Sequence, residues 1–267
     1  MKIGAIIPVR LSSERLPGKA LIDVGGRPVL YYLLDRVLAC RYIESVADIV
    51  VCTTRESEDD LLAEAVRHYG ASVFRGDKDD IILRFRDAVY HFGFDAVVQV
   101  DGDDPLTATE YMDLTMARLL GNPQLGIVWS EGLPIGLNSK SFTRVALDTV
   151  FESYCRGQND TGFIYFFTKT DLVEKSVVGL VDPKHRRDEA RLTLDYPEDL
   201  EVFRRILEAL DKDGHTAPLR EVLAYLDDNS DVMDINANLD EEYWQRTRDK
   251  ARLTYRDPNG NPTGITV

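Results

Sequence analysis

The first 120 residues alternate between two hydrophobic periods, and this alternation limits the possible folds more than any other feature. Short apolar runs lie at 2–9, 47–53, 72–74 and 95–100. Between them, 28–39, 58–69, 79–92 and 109–120 carry apolar residues at helical spacing. Strands alternating with helices of this length imply βαβ units and a mostly parallel sheet. The runs AIIPV, DIVVCTT and AVVQV lack polar alternation, which suits strands covered on both faces. Beyond residue 121 the pattern loosens. Residues 121–141 are rich in Gly, Pro and Asn around a strand-like 125–129, 143–155 reads as a helix, and 161–169 is aromatic and β-like. A strand is expected at 191–195 and a strong helix at 197–210. Pro197 falls in that helix's first turn, where a missing N–H costs nothing, and Glu198 and Asp199 suit the helix dipole. The tail from Tyr255 is polar and turn-rich and reads as a loose end.

Charge narrows the function classes. With 32 basic and 46 acidic residues, the formal net charge is −14, which argues against a nucleic-acid partner. A local basic loop can still bind a small anion against that field. No run approaches the length of a transmembrane helix, so no membrane partner is expected. The N-terminus MKIGAIIPVR reads as a first buried strand, not as a signal peptide. Cys40, Cys52 and Cys155 form no CxxC pair and read as reduced thiols of a cytoplasmic protein. His68, His91, His185 and His215 lack metal-ligand spacing.

Three segments carry chemistry. The loop after the first strand, Arg10-Leu-Ser-Ser-Glu-Arg-Leu-Pro-Gly-Lys19, brings together Arg10, Arg15 and Lys19, the hydroxyls of Ser12 and Ser13, and Gly18. Open α/β sheets bind ligands at the carboxyl ends of their strands. Arg forks and a Lys point charge match phosphate oxygens. The same residues could instead form a solvated basic loop, and they match neither a Walker loop nor a GxGxxG fingerprint. The second segment, Val97-Val-Gln-Val-Asp-Gly-Asp-Asp-Pro105, sets Asp101, Asp103 and Asp104 after a buried strand. That is a donor set for Mg²⁺, or an Asp-rich turn before Pro105. In the third, Arg191-Leu-Thr-Leu-Asp-Tyr-Pro-Glu-Asp-Leu200, Asp195 is either a second metal ligand beside Asp103 or a helix N-cap. Acids clustered without a cation repel, so Asp103→Asn or Asp195→Asn is expected to leave the fold intact or slightly firmer.

Taken in order, these segments resemble the cytidylyltransferases that activate sugar acids, both the CMP-Kdo synthetases and the spore-coat polysaccharide type. The carriers of the resemblance are Arg10, Ser13 and Arg15-Leu16-Pro17-Gly18-Lys19, then Gly102-Asp103-Asp104-Pro105-Leu106, then Asp195-Tyr-Pro-Glu-Asp-Leu200. Phe74-Arg-Gly-Asp77, with Asp80 to Phe85, is similar to the spore-coat branch. That branch's G-L-D-x-E-x-F motif stands here as Gly136-Leu-Asn-Ser-Lys-Ser-Phe142, with both acids lost, and its D-R-E-H-V segment has no counterpart around 158–162.

The resemblance implies an α/β nucleotide-diphospho-sugar transferase fold, Rossmann-like and GT-A-like. Its mostly parallel sheet would span 1–240, with a smaller β-rich insertion at about 125–190 and a C-terminal tail at 241–267. It implies transfer of CMP from CTP to an acidic, hydroxyl-bearing acceptor, a sugar acid, with release of pyrophosphate. Arg10, Arg15 and Lys19 would hold the triphosphate, and Mg²⁺ would sit on Asp103 and Asp195. Ser12, Ser13, Gly18, Thr53, Arg75, Gly76 and Asp101 would contribute to nucleotide binding. A homodimer built on the insertion is expected. The alternative enzyme class is a metal-dependent glycosyltransferase, because Asp101-Gly-Asp103 also reads as a D-x-D motif. A non-catalytic scaffold is the third class, and retention of the three cations and both strand-end acids argues against it.

Overall fold

The computed structural model describes residues 1–155, 162–211, 215–251, 253–257 and 259–266. Chain order begins with β1 (Ile3–Pro8), the two-residue strands β2 (Asp23–Val24) and β3 (Arg27–Pro28), and α1 (Val29–Leu38). It continues with β4 (Ile49–Thr54), α2 (Asp60–Tyr69), β5 (Ser72–Gly76), α3 (Ile81–Phe92), β6 (Ala96–Gln99) and α4 (Thr109–Leu120). The second half holds β7 (Ile127–Ser130), β8 (Lys140–Thr143), α5 (Arg144–Ser153), the short α6 (Tyr165–Thr168) and β9 (Lys175–Val178). The chain then runs through α7 (Pro197–Leu210), α8 (Leu219–Asp228), α9 (Asp231–Asp234) and α10 (Asp240–Lys250) to a hairpin of β10 (Leu253–Arg256) and β11 (Pro262–Ile265).

Seven strands form one sheet in the order β5-β4-β1-β6-β8-β7-β9. The first four are mutually parallel, as the βαβ pattern requires. Because side chains alternate across a strand, each strand feeds two cores. Ala5 and Ile7 of β1 join one core, with Val51 and Val98, while Ile6 joins the other, with Val50, Cys52 and Val97. Helix ends follow local chemistry: the Asp80 side chain accepts from the Leu83 N–H at the start of α3, and Gly70 ends α2 with a left-handed φ of 100°.

Residues 125–190 do not form a layer of their own. They carry β7, β8 and β9 into the main sheet, with β8 antiparallel to both β6 and β7. Three local expectations are corrected. The aromatic stretch reaching Lys169 is helical at α6, because Phe166 and Phe167 insert into the second core from one short turn; Thr161 lies outside the described residues. Residues 191–195 form a crossing segment, not a strand. Arg191 makes a single bridge to Ile135, and the Leu192 and Leu194 N–H groups donate to the Ile135 and Asp103 carbonyls. The tail pairs with itself as β10 and β11 and docks through Tyr154 and Tyr255, so it is not a loose end. Among the described residues no helix is long and apolar enough to cross a membrane.

Candidate active site

A cleft of about 480 Å³ opens at the carboxyl ends of β1 and β6, the position an open α/β sheet reserves for ligands. Arg10, Ser12, Ser13, Arg15 and Lys19 line it from the loop after β1, and Asp101, Asp103 and Asp104 from the loop after β6. Asp195, from the crossing segment, completes the wall. Within the loop, the Ser13 hydroxyl accepts from the Leu16 N–H at 3.3 Å, and the Gly18 N–H donates to the Leu11 carbonyl at 3.1 Å. Gly18 takes a left-handed φ of 69° and starts the short 3-10 turn that aims Lys19 inward. Gly18 therefore shapes the loop and does not itself line the cleft.

The structure brings Asp103 and Asp195 together. The Lys19 ammonium donates to Asp103 Oδ2 and to Asp195 Oδ1, each at 2.9 Å, and the Arg15 guanidinium sits 2.5 Å from Asp195 Oδ1. Two features set this meeting. The Leu194 N–H donates to the Asp103 carbonyl at 2.7 Å, which joins the two acid-bearing segments through their backbones. Gly136 lets the neighbouring loop cross beneath: its φ is 91°, and a Cβ there would lie 1.9 Å from the Leu192 carbonyl oxygen. Asp195 is not a helix cap. The Asp199 carboxylate takes that role, accepting from the Asp195 and Tyr196 N–H groups at 2.9 Å each while held by Arg191 and Asn236. The Asp195 carboxylate is thereby left to face the cleft.

Electrostatics separates the four acids. Burial pushes the Asp195 carboxyl up, but Lys19 and Arg15 outweigh it and hold the group below the usual carboxylate range. Asp101 behaves alike: burial is overcome by Lys140, whose ammonium lies 2.5 Å from Asp101 Oδ2, and Gln99 donates to the other oxygen at 2.8 Å. Asp103 ends above the usual range, because burial and the neighbouring acids exceed what Lys19 supplies. Asp104 is pushed further up, by burial and then by Asp103 and Asp101. The expectation that Asp195→Asn would be harmless is therefore corrected: that change removes a favourable partner of Lys19 and Arg15. Relief of repulsion belongs to Asp103 and above all to Asp104.

Two carboxylates from distant segments, Asp103 and Asp195, thus converge on one point, where Lys19 spans both and Arg15 also meets Asp195. This suits a small hard cation, since Mg²⁺ takes one or two carboxylates and completes its shell with phosphate and water. Among the described residues no group of three or more His, Cys, Asp or Glu is arranged to hold a metal, so Asp103 and Asp195 would hold one only together with phosphate and water. Burial pushes the Cys40 and Cys52 thiols up to about 12, which leaves them protonated and inert.

The structure does not bring Thr53, Arg75 and Gly76 to the cleft. Thr53 is buried in β4. Arg75 turns outward and donates to the Thr54 and Glu56 carbonyls, with its guanidinium 2.5 Å from Asp60. Gly76 acts as a spacer: a Cβ would lie 2.9 Å from Arg84 Cγ, and it is Arg84, with Ile81, that lines the cleft from α3. Sequence reasoning missed Asn138, Lys140 and Tyr165, and it missed Tyr243, Arg246 and Lys250 of α10. The replaced acids at 138 and 140 were a signal for the first two. Register then explains Lys140, which pairs with Gln99 across β8 and β6 and so arrives beside Asp101.

Residues 4–226 match the cytidylyltransferase family. The chain belongs to that family. An uncharacterized protein of Methanocaldococcus jannaschii is 31% identical over 254 residues, covering 93% of this chain and all of that protein. The 3-deoxy-manno-octulosonate cytidylyltransferase of Geobacter sulfurreducens is 36% identical over 125 residues, and this match spans 46% of the chain and 47% of that enzyme. Among solved structures, a cytidylyltransferase from Leptospira borgpetersenii superposes with a TM-score of 0.77 at 24% identity, over 87% of this chain and 97% of that one. CMP:2-keto-3-deoxy-manno-octonic acid synthetase, solved with CTP, gives 0.59 at 16% identity, over 78% and 99%. The fold is thus the nucleotide-diphospho-sugar transferase α/β fold, and the chain is a nucleotidyltransferase of the cytidylyltransferase family.

Proposed function

We propose that this cytidylyltransferase transfers CMP from CTP to a hydroxyl of an acidic acceptor of the sugar-acid class, with release of pyrophosphate. The observation that carries the reading is the pairing of Arg15 and Lys19 with Asp103 and Asp195 in one cleft. A basic phosphate loop and a partial cation shell thus meet where an α-phosphorus would lie. The acceptor oxygen bonds to that phosphorus, the bond to the β-phosphate oxygen breaks, and the hydroxyl proton passes to solvent. Arg10, Arg15 and Lys19 would hold the triphosphate and receive the charge of the departing pyrophosphate, with Ser12 and Ser13 donating from the loop. Asp103 and Asp195 would hold Mg²⁺, which supplies charge neutralisation at the α-phosphate. Lys19 donates to both Asp103 and Asp195, so this reading requires the one ammonium to move from the acids to the phosphates when nucleotide and cation bind.

The acceptor class rests on the family and on the names of the relatives. Lys140 and Asn138 stand where the spore-coat pattern has acids, which removes two negative charges from the cleft wall, and Lys140 is itself neutralised by Asp101. A homodimer through residues 125–190 belongs to the same reading and is checked by light scattering. The deciding experiment measures pyrophosphate release with each of the four nucleoside triphosphates against a panel of acidic and neutral hydroxyl compounds. Turnover with CTP and acidic acceptors is expected. Preference for UTP, or equal use of neutral sugars, would defeat the reading.

A further inference from the structure

Helix α10 sets two more cations against the phosphate loop, and the family match, ending at residue 226, does not reach them. Tyr243, Arg246, Thr247 and Lys250 share one face of the helix and line the cleft. Arg246 and Lys250 both pair with Glu14, which lies between Arg10 and Arg15, the Lys250 contact being 3.4 Å. The helix is fixed at both ends. Arg191 holds Asp240 at 3.3 Å and Tyr196 donates to Glu242 at 3.1 Å at its start, and beyond its end the Cys155 N–H donates to the Thr254 carbonyl at 2.8 Å.

Position along α10 serves as a ruler. Tyr243 lies by the acids: its ring is 4.6 Å from the Arg191 guanidinium, and its phenol is pushed well up by burial and then by Asp103 and Asp195. Lys250 is seven residues on, roughly 10 Å further along the axis. A triphosphate with its α-phosphorus at Asp103 and Asp195, lying along this face, carries its terminal phosphate toward Arg246 and Lys250.

We propose that Arg246 and Lys250 form an anion subsite for the β,γ-phosphates of the nucleotide and for the pyrophosphate leaving group, with Glu14 as the placeholder that the phosphates displace. This rests on the reading of CTP as substrate. Glu14 is 69% exposed, and an exposed ion pair of this kind contributes little, so its cations are available to a ligand of higher charge. Phosphate oxygens match the Arg246 fork as a carboxylate does, and a pyrophosphate brings more negative charge than the one carboxylate that Arg246 shares with Lys250. The subsite therefore measures phosphate-chain length: it acts on CTP and pyrophosphate and ignores CMP.

Calorimetric titration of the full chain with CTP, CMP and pyrophosphate, in Mg²⁺, tests this. The double variant Arg246→Ala, Lys250→Ala should lose about tenfold or more in affinity for CTP and pyrophosphate, while CMP stays within about twofold. Glu14→Gln, which removes the competitor, should tighten CTP and pyrophosphate and leave CMP unchanged. A helix that merely braced the cleft would move CMP and CTP together, and that result overturns the subsite, as does unchanged CTP binding in the double variant. A wild-type chain that binds pyrophosphate but not CTP would sink the nucleotide assignment and leave the subsite standing. Binding of neither ligand would remove both.

Discussion

Between residues 1 and 120 the chain winds out from β1 and back: β4 and β5 extend the sheet on one side of β1 and β6 returns to its other side, all four parallel with helices in the connections. Beyond residue 120 the chain doubles back. Strand β8 runs antiparallel between β6 and β7, and the segment before α7 crosses under Gly136 to reach Asp103. The phosphate loop belongs to the first region and could be read as one contiguous motif. The acid pair belongs to both, since Lys19 and Asp195 meet across 176 residues. Local alternation thus builds the surface that would hold the nucleotide, and long-range crossing builds the centre where a phosphorus would be attacked.

The sharpest way to break this contrast is at the meeting point. Asp195→Asn should cut turnover by about a thousandfold, because it removes half of the partial cation shell. It should also destabilise the fold by about 3 kcal/mol, because a buried carboxylate paired with Lys19 and Arg15 is lost. Steady-state kinetics and a denaturant melt read the two effects, and activity kept at wild-type level would remove Asp195 from the centre. Next comes the crossing. Gly136→Ala forces a Cβ into the Leu192 carbonyl at a left-handed φ, and a cost of about 3 kcal/mol or more is expected. A fall in Tm of about 10 °C would fit that cost, and an unchanged Tm would show that the crossing is adaptable.

Asp104 sharpens the comparison with the opposite sign. Its carboxyl sits well above the ordinary range in the folded chain, so the unfolded chain loses its proton first as pH rises. Ionisation therefore destabilises the fold above the unfolded pKa of about 3.9. Asp104→Asn should raise stability by about 1 kcal/mol at neutral pH. The gain should vanish near pH 3, where Asp104 is protonated in both states, and a gain that persisted there would point to packing instead of charge. The smallest effect is expected in the first region: Arg75→Ala should change CTP affinity by less than about threefold, since that guanidinium faces Asp60 and outward carbonyls. A larger loss, measured by titration, would return Arg75 to the nucleotide site.

Legibility in the sequence followed the same division. Apolar runs predicted β1, β4 and β6 because strands buried on both faces cannot hide their composition. The loop from Arg10 to Lys19 was legible because its chemistry is contiguous. Asp195 was named, but its segment was mistaken for a strand, because a crossing held by three backbone contacts has the same apolar alternation as a paired strand. Arg75 lies outside the cleft, which its motif could not foretell, because a motif gives an order of residues and not the direction of a side chain. Lys140 and Arg246 went unnoticed because sheet register and helix docking, which put them in the cleft, are set by partners far away in the chain.

Lys19 also has a consequence for the life of the protein without its ligands. By spanning Asp103 and Asp195, it supplies from within the chain the charge that an ion would otherwise bring. Folding is then uncoupled from the supply of divalent metal, unlike in small domains whose cation is the last piece of their structure. On the proposed reading of the site, chain made without metal would be folded and idle, and added metal would restore activity with no refolding step.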